Sequence, residues 1–289
     1  MTRPGPLSSA WEESAIRRVL SDPLGALGLV LVVLLVVGAI GADWLTPWSP
    51  TALNIRQRLQ APDLVHLLGT DHLGRDILAR VLHGGRIALY VSIVSVGFAL
   101  GLGCLLGMAA GYGPRWLDNA LILVFDAVRS FPTVLFALAV VALVGPSLET
   151  IMLIVVVTTT PVYGRIVRTL TLSLKSQEFV LAERAMGAGP IRVLAQHVLP
   201  NLIGPLLILA SMEIPVVIAI ESGLSFLGLG VRPPTPSWGS ILNDGYGFIR
   251  DTPWPVIAAG VPIMLTTLGF TFLGESLRDI FDPRLQREP

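Results

Sequence analysis

Apolar residues in this chain gather into six runs, at 24–42, 88–111, 120–144, 150–170, 201–222 and 255–273, separated by shorter polar segments. A helix needs roughly 20 apolar residues to cross a bilayer core. Backbone amides inside that core find no water, so each run must satisfy its own hydrogen bonds as a helix. The pattern predicts an all-α polytopic membrane protein of about six transmembrane helices. The first run is longer than the core of a secretion signal and reads as an uncleaved anchor.

Composition sharpens this picture. The chain has 289 residues, of which 53% are hydrophobic and 14% charged, and its mean hydropathy is +0.72. A soluble domain carries about 25% charged residues, so too little polar surface is available for water. The formal net charge is zero, which offers nucleic acid no attraction. A single cysteine, Cys104, excludes an intrachain disulfide and a multi-cysteine metal site.

Basic residues set the expected orientation. With the N-terminus in the cytoplasm, twelve Arg and Lys fall inside and seven outside, with Arg129 left within a span. The expected organisation is a cytoplasmic segment 1–23, a first span 24–42 and an extracytoplasmic loop 43–87. A five-helix core 88–276 with a cytoplasmic loop 171–200, and a cytoplasmic tail 277–289, complete it. Within the first long loop, Ile77, Val81 and Leu82 form an apolar stripe opposite Arg75, Asp76 and Arg80, as on an amphipathic helix.

The loop at 171–200 carries a second such pattern. Phe179 to Gly187 reads as a short amphipathic helix ending on a glycine, the residue that tolerates the left-handed backbone of a helix stop. Pro190 suits the first turn of another helix, at 191–199, leading to Pro200 and the fifth run. Periodicity alone fits either a helix–turn–helix awaiting a partner or a helix lying on lipid headgroups.

Gly187 followed by Leu199-Pro200 resembles the cytoplasmic EAA loop of importer permeases of the ATP-binding cassette class. The family's glutamate falls at Leu181, its first alanine at Ala182 and its second alanine at Glu183; Arg184 and Ala185 complete the turn. Three further stretches are similar to the dipeptide, oligopeptide and nickel permeases, C-type subunit: Leu68-Gly-Thr-Asp-His-Leu-Gly-Arg-Asp76, Gly223-Leu-Ser-Phe-Leu-Gly-Leu-Gly230 with Pro233-Pro-Thr-Pro-Ser-Trp-Gly239, and Leu277-Arg-Asp-Ile-Phe-Asp-Pro-Arg-Leu285. The resemblance implies the type I importer permease fold and an ATPase-coupling role for Leu181, Ala182, Glu183, Arg184, Ala185, Gly187, Leu199 and Pro200. Glu183 is the residue able to stand in for the family's acid. The resemblance also implies a homologous second permease, two ATPase subunits holding ATP and Mg, an extracytoplasmic binding protein, a bacterial inner membrane and a peptide substrate. Nickel or a glutathione-like peptide is the alternative cargo.

A phosphate-binding loop requires glycine directly before lysine. The sole lysine, Lys175, follows Leu174, so this chain has no Walker A loop and ATP hydrolysis falls to another polypeptide. His66, His72, His83 and His197 lack the spacing that sets two imidazoles on one helical face, and His66 and His72 read as solvated loop residues. His66 and His72, beside Asp71, leave a nickel or zinc contact open. No serine lies in a nucleophile elbow, and no catalytic constellation is visible.

Charges inside the runs are the candidate translocation residues. Asp126 and Arg129, three apart on one helical face, either neutralise each other or line the pathway, with Pro132 kinking the helix beyond them. Glu213 and Glu221, eight apart, predict a wet acidic stripe along the fifth helix. Gly97, Gly101, Gly103, Gly107 and Gly111 permit close helix packing within the subunit or across a permease dimer. An ion-coupled secondary transporter is the rival from another class, disfavoured by the lack of evident inverted repeats.

Overall fold

A computed structural model describes residues 17–281, and among these the chain is helical, with one isolated bridge between Thr70 and Asp76. Among the described residues, nine helices of eight residues or more organise it: α1 (Pro23–Ile40), α2 (Ile77–Tyr112), α3 (Arg115–Arg129), α4 (Thr133–Val144), α5 (Leu148–Lys175), α6 (Glu178–Ala185), α7 (Leu199–Phe226), α8 (Trp238–Tyr246) and α9 (Trp254–Phe281). Five stretches are long and apolar enough to cross a membrane, and α3 with α4 make a sixth if counted as one bent span. Residues 282–285 of the C-terminal motif, and residues 1–16 of the N-terminal segment, lie outside the described residues.

Three expectations are corrected. The run at 120–144 is two helices meeting at 86°. Pro132 lacks an N–H and disfavours helical backbone at Phe131, so α3 stops and Pro132 O starts α4 by accepting Phe136 N–H. The boundary drawn at residue 87 cuts through a 36-residue helix, about 54 Å long at 1.5 Å per residue. Its glycines, Gly84 and Gly85, leave room for the Trp238 ring instead of ending it. The separate helix expected at 191–199 runs on into α7, giving one stretch Pro190–Phe226. A π turn at Leu194–Val198, where Leu199 N–H reaches back to Leu194 O, widens the helix just where Pro200 brings its bulky ring.

α2 and α5 run parallel and in contact. A Cβ on Gly107 would lie 2.5 Å from Gly164 O, and one on Gly103 would lie 2.5 Å from Tyr163 Cβ. Gly111 meets Thr171 likewise, whereas Gly97 and Gly101 have nothing within 4 Å. The glycine stripe therefore splits: its lower part packs within the subunit, and its upper part stays open. Lys175, at the end of α5, donates to Tyr112 O at the end of α2 at 3.1 Å. α1 lies against α9 through Gly25 and Gly28. One face of the bundle thus carries the 176–198 loop, and the opposite face carries residues 43–76 and α8.

Candidate functional site

The 176–198 loop is an elbow gripped from one side. Val180, Val193 and Val198 are fully buried and fasten both arms to the bundle. Gly187 has φ +90°, a conformation that costs an L-residue roughly 1–2 kcal/mol. Its N–H bonds to Arg184 O, and Ala188 N–H to Glu183 O, both at 3.0 Å, closing α6. Gly189 then precedes Pro190 at the first turn of the return arm.

The opposite side of the elbow has no partner in this chain. Phe179, Leu181, Met186 and Ile191 are exposed, as are Ala182, Arg184, Ala185, Gly187 and Pro200, with Leu199 half-buried. Glu183 does not share that surface. It turns inward to His197, with Oε1 3.5 Å from Nε2. That contact is too long for a hydrogen bond. His197 also lies tilted against the Phe179 ring, at 54° with 6.2 Å between centroids.

The motif at 68–76 resolves into a clasp on the opposite face. Gly69 and Gly74 have φ +77° and +73°, and a Cβ on Gly74 would lie 1.7 Å from Asn54 O, so the turn admits only glycine. Asp71 Oδ1 accepts Leu73 and Arg75 N–H at 2.9 Å, while Oδ2 takes Arg75 Nε at 2.6 Å. Arg75 and Arg80 both reach Asp244 on α8, at 2.9 and 3.1 Å. Asp76 caps α2 through Ala79 N–H and holds His66 Nδ1 at 2.8 Å. Trp238 Nε1 donates to Val81 O at 2.9 Å, a second tie from α8 to α2.

Two expectations fall here. Arg75, Asp76 and Arg80 were expected on a solvated face and are buried, because each has a charged or backbone partner that repays its desolvation. His66 and His72 are not solvated loop residues: His66 is buried and His72 stacks on Phe248 at 5.2 Å; His83 bridges Ala79 O and Asp43. Asp71, His72 and Asp244 bring ligand atoms within 4.8 Å of one another. Both carboxylates are already neutralised by Arg75 and Arg80, whose guanidinium groups would repel a divalent cation. The cluster is an ion-pair network.

The interior charges also regroup. Asp126 pairs with Arg165 on α5 rather than with Arg129, and Asp118 pairs with Arg168, Nη2 to Oδ2 at 2.7 Å. α3 is thereby tied to α5 by two ion pairs flanking the contact of Phe125 with Gly164. Arg129 has no ion pair or hydrogen bond among the described residues and lines a cavity of about 110 Å³ with Val128, Phe131, Thr133 and Thr158. Glu213 is half-buried at mid-length of α7. Glu221 is fully buried; Ser225 and Ser222 hydroxyls donate to it at 2.7 and 3.3 Å, with Ser237 beside it. Glu221 is therefore enclosed by hydroxyls at the joint of α7 and α8, and of the expected acidic stripe Glu213 keeps partial exposure.

Long apolar helices, a sharply bent helix pair and a protruding elbow define a multi-pass membrane protein. The chain belongs to the family described as binding-protein-dependent transport system inner membrane component, whose pattern matches residues 103–287. Residues 9–62 match the N-terminal transmembrane domain of oligopeptide transport permease C. It is therefore a non-catalytic permease subunit of the ATP-binding cassette class, resident in an inner membrane. The dipeptide transport system permease protein DppC of Alkalihalophilus pseudofirmus is 38% identical over 96% of this chain and 91% of its own length. The di/tripeptide transport system permease protein DppC of Pseudomonas aeruginosa is 35% identical over 98% and 94%. The fold is similar to that in the inward-facing MetNI methionine transporter, with TM-score 0.58 and 18% identity over 70% of this chain and 97% of that one.

Proposed function

We propose that this chain is one of two homologous permeases that together enclose the pathway of an ATP-driven dipeptide or oligopeptide importer. The elbow faces the cytosol and docks on an ATPase subunit, which holds ATP and Mg. The 43–76 face is extracytoplasmic and receives substrate from a binding protein. Both termini are cytoplasmic, in keeping with the twelve-to-seven distribution of basic residues.

The observation that carries this reading is the two-sided elbow. Three buried valines transmit force into the bundle, while Leu181, Met186 and Ile191 remain uncovered. Each such side chain contributes roughly 1.5–3 kcal/mol when fully buried, so covering them stabilises a partner complex. With Leu181 where the family has its acid and Glu183 turned inward, docking here centres on apolar side chains flanked by the exposed charges Glu178, Arg184 and Arg192. Relatives named for dipeptide and di/tripeptide transport support the cargo class.

The test uses the complete complex, reconstituted with its partner permease, ATPases and binding protein. Gly187→Pro cannot adopt φ +90° and loses the N–H that bonds to Arg184 O. The expected result is loss of ATP-driven dipeptide uptake with normal membrane insertion. Normal uptake by that variant, or labelling of a cysteine at Gly189 from the extracytoplasmic side, would overturn the assignment.

A further inference from the structure

Two glycines at the tip of the elbow make it a hinge. Gly187 has φ +90°, and a Cβ at Gly187 or Gly189 would meet nothing within 4 Å. Among the described residues no hydrogen bond joins α6 to residues 190–198. Val180, Val193 and Val198 seat the two arms in the apolar core of the bundle, but apolar packing is non-directional and sets no angle between them. A hinge of this kind, pushed from outside, bends at its tip unless a tie holds its arms together.

His197 stands where that tie is needed. It lies on the return arm, inside the π turn Leu194–Val198, and faces α6 at two points. Its Nε2 is 3.5 Å from Glu183 Oε1, and its ring is 6.2 Å from the Phe179 ring between centroids. Phe179 and Glu183 are four positions apart and so share one face of the α6 helix. His197 Nε2 is buried and has no hydrogen-bond partner, and a buried polar atom left unpaired calls for a role. Its distance from Glu183 is about 0.3 Å beyond the longest ordinary N–H···O bond.

We infer that His197 is a positioning residue of the coupling elbow, strapping α6 to the return arm so that a push on α6 enters α7 instead of bending the tip. The inference rests on the permease reading above. Phe179 is the outer end of the strap: it is 43% exposed on the docking surface, so a partner seated there bears on His197 through the ring. Glu183 is the inner end. As the docked partner compresses the elbow, the remaining gap closes and Nε2–H donates to the carboxylate. Hydrogen bonds to an ionised acceptor are the short, strong ones, so the strap tightens under load.

The test uses the complete reconstituted complex and reads the ATP hydrolysed per dipeptide imported, alongside cosedimentation of the ATPase with the permeases. His197→Leu is expected to raise the ATP used per dipeptide at least fivefold. Cosedimentation should stay within twofold, because His197 is half-buried behind the docking surface. His197→Gln, which sets an amide donor near the place of Nε2, should keep the ratio within twofold of wild type. Glu183→His alone should uncouple like His197→Leu, and the exchange Glu183→His/His197→Glu should restore coupling to within twofold. A wild-type ratio in His197→Leu would overturn the strap. Equal losses in His197→Gln and His197→Leu would overturn it too, as would cosedimentation that falls in step with uptake. If His197→Leu does not insert, the exchange decides: restored coupling supports the strap and uncoupled hydrolysis overturns it. A wild-type complex that imports no dipeptide sinks the permease reading and the strap together; wild-type import with coupling unchanged in His197→Leu sinks the strap alone.

Discussion

Removing Asp71 should unlock the clasp at 54–76 by a calculable amount. Asp71 and Arg80 have side-chain exposures of 3% each and Arg75 of 6%, so water screens this part of the network little. Asp71→Ala deletes the acceptor of two backbone N–H groups and of the Arg75 Nε bond, leaving two buried guanidinium groups to share Asp244. Breaking a buried pair from one side costs about 3–5 kcal/mol. Asp244 is 30% exposed and still neutralises one charge, which favours the lower end, about 3 kcal/mol or roughly a hundredfold in population. Amide hydrogen exchange reads this directly. Asn54 N–H bonds to Leu73 O, Leu59 N–H to Asp71 O and Thr70 N–H to Gln60 O; all three should exchange about a hundred times faster. Asp71→Ala/Arg80→Met should recover part of the loss by deleting the uncompensated charge. Exchange in Asp71→Ala within threefold of wild type would refute the reasoning.

Gly164→Val should destabilise the subunit by about 1–3 kcal/mol, because a Cβ there meets the Phe125 ring at 2.5 Å; Gly97→Val, with nothing within 4 Å, should leave the isolated subunit's thermal melt unchanged. Equal melting of the two variants would contradict the close packing of Phe125 on Gly164. Leu181→Asp should weaken cosedimentation with the ATPase about tenfold or more, since an exposed apolar contact becomes a charge; unchanged cosedimentation would exclude Leu181 from the docking face. Hydrogen bonds from Arg86 and His83 hold the Asp43 carboxyl below its usual value, and backbone N–H bonds from His66 and Val65 do so for Asp63. Both contributions are therefore fully present above about pH 4 and are lost only as pH falls through the depressed folded values. Trp48 fluorescence should hold steady from pH 5 to 4 and change below that; a change complete by pH 4.5 would rule this out.

The five long apolar helices and the bent pair were legible as apolar runs because bilayer thickness imposes a length on them, and the elbow was legible because Gly187 and Pro190 are local stop and start signals. What the runs hid was three-dimensional. Arg75 and Arg80 look like surface residues until Asp244, 164 and more positions away, arrives to neutralise them. Asp126 and Arg129 look like a pair at helical spacing, yet Arg165 on another helix outcompetes Arg129. Glu221 looks like a pathway acid because the nearby serines carry no charge to betray a cage. Pro132 did announce a disturbance, but a proline can bend a helix or end it, and the deciding factor is whether neighbouring helices hold the two halves in line. The motif at 68–76 was recognisable as a string, while its purpose, a glycine-shaped turn that aims Asp71 at two arginines, depends on contacts no string contains.

These contacts explain how the two faces of the membrane part are joined mechanically. α2 is the strut: it runs unbroken for 36 residues, tied to α8 by Trp238 and Asp244 at one end and to α5 by Lys175 at the other. Glycines at 103, 107 and 111 bring α5 into backbone contact with it, so the two move as one body. α6 follows directly from α5, and the return arm continues into α7 without interruption. A push on the elbow therefore enters the bundle along two lines, the α2–α5 strut and the long arm of α7. Arg129 hangs from a helix fastened to the first line by Asp118 and Asp126, and Glu213 rides on the second.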